Sequence, residues 1–163
     1  MLSLVRTLKV LAAVYLAGVL TLTLWPGLAH TEVPRCAHGV LQFANHLGIP
    51  LTFDVLEAVA NVLMFVPLGA FGIWIIGDWR EIIHKPEVVD VIGHRSYLSV
   101  ASEVVLAAAV LSAAIEVAQL RIPGRVTSFD DWWRNTLGAA VGTGIGLATL
   151  VAHRRRLHRR LGR

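Results

Sequence analysis

The chain has 163 residues, of which 55% are hydrophobic and 16% charged, whereas a soluble domain usually carries about a quarter charged residues. With a mean hydropathy of +0.63, this composition excludes an ordinary soluble enzyme and points to an integral membrane protein of one domain, residues 1–163. The single cysteine, Cys36, excludes an internal disulfide framework and a paired-cysteine metal or redox site.

Crossing about 30 Å of hydrocarbon takes roughly 20 helical residues. The first predicted span runs from Val10 to Ala29 and holds no charged residue. It begins like a signal peptide, but its apolar run is long for one and "GLAH" is a poor cleavage site, so it is read as a retained helix. Between His30 and Asp54 lies a semi-apolar loop, in which "GVLQFANHLG" reads as a short interfacial helix. The second span, Ala58 to Gly77, contains Pro67, which should kink it and free a carbonyl. The third, Leu98 to Leu120, is apolar except for Glu103 and Glu116 near its two ends. The fourth, Asn135 to Ala152, is followed by a basic tail over 153–163 with six arginines.

The fold class expected is therefore an all-α membrane protein with four transmembrane helices. Eleven of the fifteen Lys and Arg residues fall on the side of the two termini and the loop 78–97. By the positive-inside rule both termini are cytoplasmic. Trp25, Trp132 and Trp133 then lie at the outer boundary and Trp74 and Trp79 at the inner one, as an aromatic belt requires, with Tyr15 the exception in mid-span. A basic tail directly after an apolar span reads as an anchor on anionic lipid, so membrane lipids are expected partners and nucleic acid is not.

The segment "IEVAQLRIPGRVTSFDDWWRN", residues 115–135, gathers Glu116, Arg121, Arg125, Asp130, Asp131 and Arg134 between two apolar spans. Pro123 and Gly124 supply a turn. Ser128 and Asp131 have the spacing of a capping box, and both aspartates suit the positive end of the fourth span. Glu116 lies about 6 Å inside the third span at ~1.5 Å per residue. A carboxylate there should face the bundle and hold a partner, with Arg121 and Arg125 within reach. Ser112, Glu116 and Gln119 share one helix face. Asn61, one turn inside the second span, and Asn135, at the start of the fourth, project at the same depth. Gly138, Gly142 and Gly146 form GxxxGxxxG, a groove for close helix approach.

Two of these stretches carry a resemblance. "NVLMFVPLG" over 61–69, and "IEVAQ" followed by "GR" and "DDWWRNTLGAAVG" over 115–142, resemble the VanZ-like family of small bacterial membrane proteins, over roughly residues 10 to 152. The family's pattern matches at Asn61, Glu116, Gln119, Arg125, Asp131 and Asn135. It departs at Ser128, where many members have an acid, which weakens a cation site. The resemblance implies a multi-pass protein of the bacterial plasma membrane. The family's founding member is associated with resistance to the glycopeptide teicoplanin, and the resemblance carries that association over as a label only.

Three functions fit these residues. In the first, a polar cluster at the outer face binds an envelope lipid, a lipid-linked envelope precursor or a glycopeptide-related ligand, with Asn61, Gln119, Arg125 and Asn135 as its contacts. In the second, a membrane-embedded hydrolase or transferase uses Glu116 as general base and Asp131 as second acid. In the third, the glycine face joins subunits of an assembly. No HExxH, GxSxG, Cys–His pair or P-loop is present, and His30, His38 and His46 are spaced as loop residues. Neither metal nor cofactor is expected.

Overall fold

A computed structural model describes residues 2–25, 35–76, 93–123 and 128–161. Among the described residues the elements are five helices: α1 (Leu2–Leu24), α2 (Arg35–His46), α3 (Phe53–Ile76), α4 (Gly93–Gln119) and α5 (Phe129–Leu161). Four of them are long and apolar enough to cross a membrane, over Arg6–Leu24, Phe53–Ile75, Tyr97–Gln119 and Phe129–Ala152. The chain is thus an all-helical, multi-span membrane protein. The second and fourth spans begin five and six residues earlier than hydropathy alone suggests. In α5 the first turn is Phe129, Asp130, Asp131 and Trp132, and hydropathy penalises the acids that the helix N-terminus favours. Trp79 and Arg125 lie outside the described residues.

α2 is amphipathic, and α3 is joined to it through a short linker. Its end is a Schellman cap: Gly48, at φ 73°, donates its N–H to the carbonyl of Asn45, and Ile49 donates to that of Ala44. Ala44 is buried, whereas Val40, Phe43 and Leu47 are exposed. That divided apolar face is what a helix lying along a membrane boundary presents.

The most extensive helix pair is α3 with α5. Both start at the same end of the bundle, because Asn61 near the start of α3 meets Asp131 near the start of α5. The glycine stripe of α5 is filled from within. A Cβ on Gly138 would collide with the carbonyl of Val62, and one on Gly142 with the carbonyl of Val66. From the other side, a Cβ on Gly69 would collide with the carbonyl of Ala139. In each case a glycine Cα–H points at the facing carbonyl oxygen, a weak hydrogen bond that recurs at close helix crossings. Gly146 is looser, its virtual Cβ 3.1 Å from the Ala70 carbonyl. Phe65, fully buried, anchors the same seam with Val19, Ala108, Ile115 and Ala139.

α1 packs less extensively on the bundle, and polar contacts help to hold it. The Tyr15 hydroxyl donates to the Met64 carbonyl at 3.0 Å. Pro67 has no N–H to offer the carbonyl four residues back, that of Leu63, and Tyr15 docks one residue further on. α3 runs through Pro67 as a continuous helix. Tyr15 therefore sits in mid-span because its hydroxyl has a backbone partner there. At the end of α1, the Gln119 side-chain amide donates to the Thr23 carbonyl at 2.9 Å.

The glycine seam makes a direct prediction. Gly142→Leu should lower resistance to thermal or denaturant unfolding in detergent by about 3 kcal/mol, at the upper end of overpacking costs, because backbone has to move. Gly144→Leu should be near neutral, since nothing lies within 4 Å of its Cβ position.

Candidate functional site: a polar seam at one end of the bundle

The ends of α1 and α4 and the starts of α3 and α5 meet at one end of the bundle, and the polar side chains collect there. Four pairs define the seam. Asn61 Nδ2 donates to Asp131 Oδ1 at 2.7 Å, joining α3 to α5. Asn135 Nδ2 donates to Ser112 Oγ at 3.0 Å, joining α5 to α4 one turn deeper. The Ser128 backbone N–H donates to Glu116 Oε2 at 3.2 Å. Gln119 holds α1, as above.

Glu116 is half-buried and turned toward α5, not outward to lipid. It is also not bonded to Ser128 by chance of position. Ser128 is the N-cap of α5, its hydroxyl accepting the Asp130 N–H at 3.0 Å. In a capping box the acid three residues on, here Asp131, would reach back to the cap's own N–H. Asp131 instead turns sideways to Asn61. The carboxylate that satisfies Ser128 comes from α4. The box expected within one helix is thus completed between two helices, which ties the end of α4 to the start of α5.

Arg134 pairs with both aspartates of the first turn of α5. Arg134 Nη1 lies 3.5 Å from Asp131 Oδ1, and Nη2 lies 3.9 Å from Asp130 Oδ2. These are i, i+3 and i, i+4 pairs at the surface and add little to stability. Trp133 donates its indole N–H to Asp130 Oδ1 at 3.1 Å, near the boundary where the aromatic belt was expected. Trp132 departs from that expectation. Its indole N–H donates to the Ala109 carbonyl of α4 at 3.0 Å, so the ring packs between helices and does not present its N–H to headgroups.

Beside Trp132 lies a groove of about 340 Å³, lined by Ala113, Glu116, Val117, Ser128, Phe129 and Trp132. Its walls are apolar except for the carboxylate and the serine. Phe129 stacks on Trp132 with ring centroids 5.2 Å apart and is itself 75% exposed. The groove opens on the side of the bundle, between the last turns of α4 and the first turn of α5.

The sequence of the VanZ/LLP1 family matches this chain over residues 12–151. The chain belongs to the VanZ/LLP1 family. Among the curated proteins and among the solved structures no significant match is found. Both stretches that carry the resemblance contribute to the seam. The first supplies Asn61, Val62, Val66 and Gly69. The second supplies Glu116, Gln119, Asp131, Asn135 and the glycines.

In this VanZ/LLP1 chain the structure brings Asn61 to Asp131 and Asn135 to Ser112, and it brings Glu116 to the start of α5. Gln119 is buried, and its Nε2 donates to the Thr23 carbonyl of α1. Gly138, Gly142 and Gly146 lie inside the bundle, so that stripe is occupied by α3 and is not a free subunit surface. Three contributors have roles beyond those their sequence positions suggest: Trp132 beyond the belt, Ser128 beyond capping its own helix, and Ser112 beyond sharing a face with Glu116. The i, i+4 spacing of Ser112 and Glu116 was the available signal. Asn135 is 4% exposed, and its Oδ1 has no donor among the described residues.

The Asn135–Ser112 bond is testable by stability. Ser112→Ala should cost about 1–2 kcal/mol, because it strands the buried Asn135 amide. Asn135→Leu in that background should recover part of the loss, since both polar partners are then gone. Unfolding curves in mixed detergent read both. A double-mutant cycle on Asn61→Ala and Asp131→Ala should return a coupling of about 1 kcal/mol, within the range for interhelical polar pairs.

Proposed function

We propose that this VanZ/LLP1 chain binds an amphiphilic lipid of the cell envelope in the groove between α4 and α5. The headgroup meets Glu116 and Ser128, and the apolar part runs along Ala113, Val117, Phe129 and Trp132. The observation that carries this reading is the groove's composition: an apolar wall open at the flank of a membrane-spanning bundle, with one carboxylate and one serine at its polar end. Such a surface fits a molecule with an acyl or isoprenoid chain and a headgroup that offers hydroxyl or amide donors. Lipid-linked precursors of the cell wall have that build, and a link to glycopeptides would act through the same class of ligand. The excess of Lys and Arg at the opposite end supports placing the groove in the outer leaflet, with both termini in the cytoplasm.

The reading favours holding over turnover. Glu116 already accepts the Ser128 N–H, and the Ser128 hydroxyl already caps α5.

Native mass spectrometry of the full chain, purified in a mild detergent from bacterial membranes, tests the proposal. The wild type should retain an envelope lipid. Glu116→Gln and Trp132→Ala should each lower retention about tenfold, the effect of removing one charged or aromatic anchor. Trp133→Ala, on the neighbouring surface, should leave retention unchanged. Equal retention by all four proteins would reject the groove as the site.

A further inference from the structure

The outer face of α4 carries an acid that the bundle does not use. Glu103 is exposed, six residues inside the start of the span Tyr97–Gln119, with exposed Leu106 and Val110 next along the same flank. Its hydrogen bond is with Ser99, whose hydroxyl lies 3.3 Å from Oε1. No cation pairs with it among the residues whose side chains are described. A carboxylate on the flank of a membrane helix is costly and calls for a partner.

Among the described side chains near this depth, α1 offers complementary charges. Arg6 and Lys9 are both exposed and make no ion pair among the described residues. Their depth can be compared with that of Glu103, because Gln119 of α4 is bonded to Thr23 of α1 and fixes the register of the two helices. Both helices run toward that bond. At ~1.5 Å per residue, Lys9 lies about 21 Å from Thr23 and Arg6 about 26 Å, while Glu103 lies about 24 Å from Gln119. The two cations therefore bracket the carboxylate in depth, yet each sits on the outside of its own helix.

The geometry points to a second copy of this chain as the partner: α1 of one copy docks on the outer face of α4 of the other, with Arg6 and Lys9 flanking Glu103. Rotation about an axis along the membrane normal leaves depth unchanged, so the match survives in a dimer. α1 and α4 touch each other within one copy, so both faces can be offered at once. Above the charges the surfaces also fit. α1 shows exposed Ala13 and Ala17 in line with Lys9, and α4 shows the larger Leu106 and Val110. Small residues on one side let the larger ones approach. α1 is otherwise the least buried of the four spans.

Two differently tagged forms of the full chain, Lys9→Cys and Glu103→Cys, each with Cys36→Ser, are co-expressed and treated with a short bismaleimide in native membranes. A covalent dimer carrying both tags is expected. In bilayers, single-molecule photobleaching of the wild type should show two steps. Glu103→Lys should weaken the dimer at least about tenfold, as expected when an attractive charge pair becomes repulsive in a low dielectric. Lys9→Glu in the same chain should restore it. Glu103→Gln, checked for folding by thermal unfolding, gives a milder loss should the lysine variant fail to fold. A wild type that bleaches in one step overturns the proposal and leaves Arg6 and Lys9 to anionic headgroups. A dimer unaffected by the charge changes, or no mixed cross-link, overturns it too.

Discussion

The close approach of α3 and α5 sets the geometry of everything else in this bundle. Lipid offers no hydrophobic drive between helices, so packing and interhelical hydrogen bonds must hold them. Gly69, Gly138 and Gly142 let each backbone reach the carbonyls of the other. With α5 fixed that tightly on α3, its rotation about its own axis is set. Asp131 then falls opposite Asn61, and the next turn aims Asn135 at Ser112 of α4.

The second consequence concerns the end of the bundle. A helix start leaves several backbone N–H groups without partners, and at a membrane boundary water reaches them only in part. α5 meets this with a cap from its own Ser128 and a carboxylate from α4. Glu116, in a largely apolar span, thus has a backbone partner at a helix end that belongs to another segment. The same contact places a charge at the mouth of an apolar groove. One residue thus serves the fold and marks the surface proposed for an amphiphile.

Much of this was legible in the sequence. Four spans, the depth of Asn61, Glu116, Asp131 and Asn135, and the packing character of the glycine stripe follow from hydropathy, spacing and residue size. The family could be read from "NVLMFVPLG" and "DDWWRNTLGAAVG", the stretches that build the seam. The starts of α3 and α5 were placed too late, because hydropathy counts acids and polar residues against a span even where a helix end favours them. Trp132 was misread because an indole near a boundary looks the same in sequence whether its N–H meets a headgroup or the Ala109 carbonyl.

What the sequence by itself determined is local: which segments are helical and long enough to cross, where their ends fall within a few residues, and which polar groups lie near one end. In hydrocarbon each helix must satisfy its own backbone, so these properties belong to single segments. Only the tertiary structure decided the pairings. Glu116 caps Ser128, Asp131 turns to Asn61, Gln119 is spent on Thr23, and the glycines face α3. Each of these depends on which helices are neighbours and how each is rotated, and that is fixed jointly by side-chain volumes from segments far apart in the chain.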